Sequence, residues 1–241
     1  MKQVMIYFLL FIIYATLGWL IEVIGKLIEK KRFINRGFLI GPYCPIYGFG
    51  ALAITFLLKK YTSDIIALFV MAILVCGTLE YLTSYFMEKI FHARWWDYST
   101  KKFNINGRVC LNTIIPFGLL GCFIMYVSNP FLLKILNALP DLALYILSTT
   151  LFIIFIVDNI ISFNVISTVR TTTKSLYKEL DNTEEITKKV KEILLSKSVL
   201  HRRLIHAYPK LETIKEKIKK RTKQLKENTE KIKENIEQKF K

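Results

Sequence analysis

The chain has 241 residues, and its charged residues are unevenly distributed. Residues 1–167 contain 14 Lys+Arg and 8 Asp+Glu, residues 168–241 contain 21 and 11, and the net charge of +16 divides into +6 and +10. Only 22 of the first 167 residues are charged, which is about half of the share usual in soluble domains. This argues against a simple water-soluble globule, and four Cys in so long a chain argue against a disulfide-rich secreted domain.

Five apolar runs approach the length of about 20 residues that a helix needs to cross the hydrocarbon core of a membrane. The first run ends in Glu22 and Gly25 rather than in a small-x-small cleavage site, so we interpret it as a retained helix and not a signal peptide. The runs are Val4–Ile24, a shorter Tyr43–Leu58, Ile65–Met87, Val109–Val127 and Leu142–Ile166.

This pattern predicts an all-α fold, a polytopic membrane bundle of about five transmembrane helices. We place the transmembrane domain at residues 1–167 and a basic, Lys/Glu-rich C-terminal cytoplasmic helical tail at residues 168–241.

The positions of Lys and Arg predict the orientation of the bundle. The connections at residues 25–42 and 88–108 each hold five of these residues, whereas the other side has only Lys2, Lys59, Lys60 and Lys134. Because positive charge marks cytoplasmic loops, we expect a multi-pass protein of the cell membrane with its N-terminus outside and its tail in the cytoplasm.

The second run begins unusually, with Gly41-Pro42-Tyr43-Cys44-Pro45. Two prolines resist a regular helix start, and irregular backbone at membrane depth survives only when it is buried in protein or lines a wet cavity. The stretch is therefore a candidate re-entrant or cavity-lining element, with an ordinary interfacial loop as the alternative.

Three acids lie inside the apolar runs, and each is expected toward the cytoplasmic end of its helix: Glu22, Glu80 and Asp158. Arg108 begins the fourth run at the same side, with Asn112 one turn deeper. Ionisable groups at such depth are costly and usually face the bundle interior or a water-filled path. Either Arg108 pairs with Glu80 or Asp158 to neutralise a buried charge, or these residues line a polar cavity for a substrate or ion.

A block of aromatic residues, Phe91 to Tyr98, separates the third and fourth runs. It is typical of an interfacial anchor, and Arg94, Trp96 and Asp97 keep a gating or ligand-binding role open.

His92 has no second His at ligand spacing, so no metal site is predicted. A Cys44 nucleophile with His92 as its base lacks any residue pattern that orders the pair. No nucleotide-binding or other cofactor motif occurs, so any ATP hydrolysis would belong to another chain.

The tail has two patterns. Ile186, Val190, Ile193, Leu194 and Leu204 fit one helical face that ends before Pro209. After it, the heptads built on Leu211, Ile218, Leu225 and Ile232 have Ile214, Arg221, Asn228 and Asn235 as companions, a poor coiled-coil seam. The tail lacks the aromatic platforms of nucleic-acid-binding proteins, so its charge indicates anionic lipid or an acidic cytosolic partner.

The membrane half resembles the family called putative ABC-transporter type IV membrane proteins, or putative ABC transporter permeases. The resemblance covers roughly residues 10–130 and is carried by the motifs Gly18-Trp19-Leu20-Ile21-Glu22, Asn35 to Gly50, Leu79 to Ser84, Met87-Glu88, Arg94 to Ser99 and Asn106 to Cys110. It implies a bacterial multi-pass membrane protein with a transport role, and it leaves open a separate ATP-binding subunit and homo-oligomerisation.

The function that we expect is a permease-like subunit whose cytoplasm-facing polar cavity binds a small polar or lipid-headgroup ligand. Glu22, Glu80, Arg108, Asn112 and Asp158 are its predicted lining, with Tyr43, Cys44, Trp96 and Asp97 at the rim. The alternatives are an intramembrane enzyme acting on lipid or peptide, with Glu80 as base beside Arg108, and a non-catalytic scaffold or sensor that works through its tail.

Overall fold

The computed structural model describes residues 1–91, 93–179, 182–209 and 211–213, and most of them are helical. The all-α bundle predicted from the sequence is confirmed. The helices are α1 (Lys2–Lys30), α2 (Pro45–Leu57), α3 (Ile65–Phe91), α4 (Leu111–Phe123), α5 (Asn129–Ala138), α6 (Asp141–Glu179), α7 (Thr183–Lys197) and α8 (Val199–Ala207). Four short strands, β1 (Ala93–Arg94), β2 (Asn104–Ile105), β3 (Val109–Cys110) and β4 (Glu212–Thr213), pair antiparallel as β1–β4 and β2–β3.

Four helices of the described residues are long and apolar enough to cross a membrane, and they contain or overlap four of the five predicted runs. They are Lys2–Lys30, Ile65–Phe91, Leu111–Ala138 and Asp141–Tyr177. The third of them joins α4 to α5 through a π turn at Ile124–Ser128, just before Pro130. A proline lacks the N–H that would continue the regular hydrogen-bond ladder, so the change of helix type at this point has a local cause.

The second predicted run forms only α2, whose 13 residues reach about 20 Å and fall short of the hydrocarbon core. The irregular segment at residues 31–44, which precedes α2, covers the remaining depth of the bundle. The amide of Cys44 donates to the carbonyl of Ala15 at 2.8 Å, and Ala15 lies near the midpoint of α1. The chain therefore descends about half the length of α1 before α2 begins at Pro45.

The two ends of the bundle differ in their contents. Residues 1–2, 58–64 and 138–141 share one end, where Lys2 pairs with Asp141 at 2.7 Å. We call the other end, with residues 30–40, 91 and 93–110, the basic end. The outer faces of the long helices between the two ends expose large apolar side chains, Phe86, Phe123 and Phe152 among them. Such a surface suits lipid, which has no hydrogen bonds to offer a polar group.

The tail is folded against the basic end. The predicted boundary between the transmembrane domain and the tail, at residue 167, falls inside α6, which continues without a break to Glu179. The boundary stays a prediction. Helices α7 and α8 turn back and bury Val190, Leu194 and Leu204 with Trp95 of the bundle. The strand pair β1–β4 joins Ala93 to Thr213 and fastens the described end of the tail.

The single amphipathic helix predicted between residues 186 and 204 is two helices. Ser198 interrupts it with extended backbone, and its side chain accepts a hydrogen bond from the amide of His201 at the start of α8. Ser is among the preferred N-cap residues because its hydroxyl satisfies such a free amide. The heptad positions from Ile214 onward, like His92, lie outside the described residues.

Candidate functional site

A cavity of about 180 Å³ opens between the first four helices at the basic end. Its wall combines α1, α2, α3 and α4 with the irregular segment at residues 31–44, the π turn, the loop after β1 and the residue that follows α8. Two cysteines line it, Cys44 and Cys76. The other lining side chains that can carry charge or donate hydrogen bonds are Glu22, Arg36, Tyr47, Glu80, Trp96, Tyr98 and Tyr208.

Glu22 is the acid that α1 contributes. The hydroxyl of Tyr47 donates to Glu22 Oε1 at 2.9 Å, and Arg36 Nε lies 3.5 Å from Oε2. Tyr47 can approach because Gly18, one turn before Glu22, has no side chain, and a Cβ there would overlap the Tyr47 ring. Small residues at this spacing allow two helices to come close, so the α1–α2 contact orients the carboxylate.

Arg36 and Tyr208 close the cavity toward the tail. Arg36 Nη1 donates to the carbonyl of Ala207 at 2.7 Å, and the Tyr208 hydroxyl donates to the carbonyl of Arg36 at 3.1 Å. The guanidinium also lies 5.5 Å from the centre of the Tyr208 ring. Burial raises the pKa of the Tyr208 hydroxyl, which therefore stays a neutral donor.

Glu80 is the acid that α3 contributes, and its residue is 8% exposed. Its hydrogen-bond partners are neutral hydroxyls: Thr113 Oγ1 lies 3.4 Å from Glu80 Oε2, and Tyr98 also bonds to it. Thr113 lies 2.8 Å from the carbonyl of Cys110 as well, so its one proton is shared. Among the described residues, no Lys, Arg or His nitrogen lies within 4.0 Å of this carboxylate.

Tyr98 is the other polar group beside Glu80. Burial, and next the Glu80 carboxylate, raise the pKa of the Tyr98 hydroxyl, so it also stays protonated. The wall also has apolar residues, and Ile54, Leu120 and Ile124 among them lie farther from the basic end along α2, α4 and the π turn. The cavity thus has a polar part with two carboxylates and one guanidinium, and an apolar part.

Asp158, predicted in the lining, lies elsewhere. It accepts hydrogen bonds from the amides of Ile40 and Gly41 at 2.9 and 2.7 Å, from the Tyr43 hydroxyl at 2.5 Å and from Ser162 at 2.7 Å. Two bonds to each oxygen fill the usual acceptor positions of a carboxylate. Asp158 and Tyr43 therefore hold residues 40–43 against α6 rather than facing the cavity.

Arg108 and Arg94 both bind Glu88 outside the cavity lining. Arg108 Nη2 lies 2.9 Å and Arg94 Nη2 2.8 Å from the same oxygen of Glu88. The sequence suggested Glu80 or Asp158 as the partner of Arg108, and the structure differs because Glu88, two turns beyond Glu80 on α3, lies level with the loop.

Asp97 organises the loop itself. It accepts from Arg94 at 3.3 Å and from the amide of Ser99 at 3.1 Å. It also lies where a Cβ on Gly107 would be, and Gly107 has φ +67°, so the Asn106-Gly107 turn between β2 and β3 leaves room for the carboxylate. The remaining predicted residue, Asn112, is exposed on α4.

Of the ten predicted residues, the structure brings four to the cavity: Glu22, Cys44, Glu80 and Trp96. Arg36, Tyr47 and Tyr98 were not predicted, although all three lie in the family-like motifs and Arg36 and Tyr47 each precede a glycine. Tyr208 carries no comparable signal, because only the fold of the tail brings it there. In the part of the chain that is described, no group of three His, Cys, Asp or Glu could hold a metal ion.

No curated protein and no solved structure matches this chain, but a family model does. The model of the family described as "Putative ABC-transporter type IV" matches residues 9–163, which is more than half of the chain and includes all of the cavity lining except Tyr208. With its four long apolar helices, this membrane protein belongs to the putative ABC-transporter type IV family.

Proposed function

We propose that the chain is a permease-like subunit of a transporter that binds a small polar or lipid-headgroup ligand in the cavity at the basic end. The observation that carries the proposal is the cavity itself, about 180 Å³ with two carboxylates and a guanidinium inside a bundle of apolar helices. Ionisable side chains at this depth are costly and usually mark a path for a substrate or ion.

The irregular segment at residues 31–44 supports the same function. Cys44, the residue before α2, brings a backbone amide to Ala15 near the middle of α1, and Arg36 brings its guanidinium to Glu22 nearer the basic end. Irregular backbone at such a depth survives where it is buried in protein or lines a cavity. Broken or short helices whose ends meet at mid-membrane are the usual architecture of substrate sites in transporters.

The orientation that goes with this proposal has the basic end and tail in the cytoplasm and the N-terminus outside, in the cell membrane. A thiol-specific reagent that does not cross membranes tests it on cells. A cysteine introduced at Lys2 should react in intact cells, and one introduced at Lys197 only after the cells are opened. The reverse pattern would overturn the orientation.

A cavity-filling substitution tests whether the cavity holds a ligand. A Cβ on Gly50 would meet only Leu79 and Cys76, at 3.7 and 3.8 Å, so Gly50→Leu fills the cavity with little strain on the backbone. Gly25→Leu is the matched control, because nothing lies within 4 Å of a Cβ at Gly25.

The experiment is affinity purification of the full chain from native membranes, with identification of bound small molecules, lipids and proteins. We expect a small molecule or lipid that is retained by the wild type and Gly25→Leu and lost by Gly50→Leu. Recovery of a separate ATP-binding subunit would support a transporter. Equal retention by all three proteins would contradict binding in the cavity.

The enzymatic alternative finds less support in the geometry. It requires Arg108 to hold an anionic group beside Glu80. Arg108 instead binds Glu88, and its guanidinium lies 5.4 and 5.6 Å from the centres of the Tyr81 and Tyr85 rings.

The sensor alternative has one observation in its favour. Tyr208 belongs to the tail and lines the cavity, so a movement of the tail would change the cavity wall.

A further inference from the structure

The charges in the cavity do not balance, and this imbalance indicates what the cavity binds. Arg36 lies beside Glu22 and neutralises it, while Tyr47 donates to the same carboxylate. Among the described residues, the partners of Glu80 are the hydroxyls of Thr113 and Tyr98, and no cationic side chain joins them. An ionised carboxylate that is buried without a positive partner is costly, and either a proton or a cation supplied by a ligand would offset that cost.

The groups around Glu80 favour an organic cation over a metal ion. Calcium and magnesium need six or more oxygen ligands, whereas the lining of this cavity is largely aromatic and apolar. Aromatic faces attract weakly hydrated ammonium groups, and quaternary ammonium ligands are recognised in such surroundings. The aromatic side chains of the lining are Tyr47, Trp96, Tyr98, Phe117 and Tyr208.

The apolar part of the wall adds a second requirement. Ile54, Leu120 and Ile124 offer no hydrogen bonds, so the part of the ligand that reaches them should be hydrocarbon. We infer that the cavity takes an ammonium-headed amphiphile, whose cationic nitrogen pairs with Glu80 and whose apolar group lies along these three residues. The inference rests on the proposed function, because it presumes that the cavity is a ligand site.

The test measures binding to the full chain in nanodiscs of phosphatidylglycerol by titration calorimetry. The probe is benzyltrimethylammonium, compared with its uncharged isostere neopentylbenzene and with the anion phenylacetate. We expect the cation to bind at least tenfold more tightly than either, which is about 1.4 kcal/mol. Equal or tighter binding of an uncharged or anionic probe would overturn the inference.

Two charge-neutral variants locate the cation. Glu80→Gln should weaken binding of benzyltrimethylammonium at least tenfold. Glu29→Gln, which removes a carboxylate exposed at the end of α1, should leave it within twofold. The comparison of the three probes on the wild type keeps the inference falsifiable if Glu80→Gln does not fold. An unchanged affinity in a folded Glu80→Gln variant would refute the role of this carboxylate.

The source of the ammonium group is decided by adding phosphatidylethanolamine to the nanodiscs. Competition with the probe assigns the group to a lipid headgroup, and absence of competition assigns it to a free amine; both support the inference.

Failure of the inference and failure of the proposed function give different results. If the uncharged probe or the anion binds at least as tightly and Gly50→Leu abolishes that binding, only the ammonium preference is wrong. If none of the three probes binds, the inference fails, and equal ligand retention by wild type and Gly50→Leu in the purification experiment would remove the proposed function as well.

Discussion

Asp158 should be a structural anchor, and its removal should be costly to stability. Each of its oxygens accepts two hydrogen bonds, and two of the four donors are backbone amides of the irregular segment, Ile40 and Gly41. These amides have no strand or helix to supply another acceptor. We therefore expect Asp158→Asn to destabilise the bundle by loosening this segment.

The expected magnitude follows from the four bonds. Asn keeps one acceptor oxygen for Ile40 and Ser162, and its amide group replaces the oxygen that accepts from Gly41 and Tyr43. A hydrogen bond to a charged group contributes about 1.5–3 kcal/mol. The NH₂ group of Asn also faces the amide of Gly41, so two donors meet and neither has an acceptor. The free energy of unfolding should fall by about 3–5 kcal/mol in all.

The assay is reversible unfolding in mixed micelles by titration with sodium dodecyl sulfate, followed by tryptophan fluorescence. Asp141→Asn is the matched control, because it is also an Asp-to-Asn substitution in α6. Asp141 lies in the first turn of that helix, and its side chain is 83% exposed. Exposed ion pairs contribute about 0–1 kcal/mol, so the control should change little.

Tyr43→Phe gives an independent check. It removes one of the four hydrogen bonds and should lower the free energy of unfolding by about 1.5–3 kcal/mol. In the Asp158→Asn background the same substitution should lower it by less than in the wild type, because both substitutions remove that bond. If Asp158→Asn unfolds within about 1 kcal/mol of Asp141→Asn, the anchor role is refuted.

Two further predictions concern the packing of α1 beside the cavity and the attachment of the tail. Gly18→Ala should lower the free energy of unfolding by about 1–3 kcal/mol in the same titration, because its methyl group would overlap Tyr47. Gly25→Ala on the same helix should be neutral or slightly stabilising, because nothing lies within 4 Å of a Cβ there. Equal effects of the two substitutions would contradict the close packing. Arg203 donates to the carbonyls of Gly37 and Phe38 at 3.0 and 3.3 Å, so Arg203→Ala should speed amide hydrogen exchange in α8 about 10- to 100-fold. The exposed neighbour Arg202 is the control, and similar exchange in Arg202→Ala and Arg203→Ala would show that these contacts do not hold the tail.

The sequence predicted the helices better than the contacts between them. Four long spans could be recognised because hydrocarbon permits little besides a long apolar helix, and this constraint acts on each segment separately. The fourth span was predicted to end at Val127, but it continues through a π turn to Ala138 because the composition becomes less apolar there while the backbone stays helical.

The polar residues show the opposite case. Depth within an apolar run identified Glu22, Glu80 and Asp158 equally, yet two of them line the cavity and Asp158 does not. Depth gives the level of a side chain in the bundle and not the direction in which it points. The direction depends on how each helix is rotated against its neighbours, which is decided by close approaches such as that of Tyr47 to Gly18.

The sequence by itself determined the class of the protein, the membrane-embedded part and the concentration of positive charge at one end, because hydropathy and charge are properties of each segment alone. The tertiary structure decided which charges meet. The net charge of +10 in residues 168–241 gave no sign that Tyr208 would lie against Arg36 and close the cavity. That contact joins residues 172 positions apart, and such contacts depend on packing of the whole chain rather than on any local pattern.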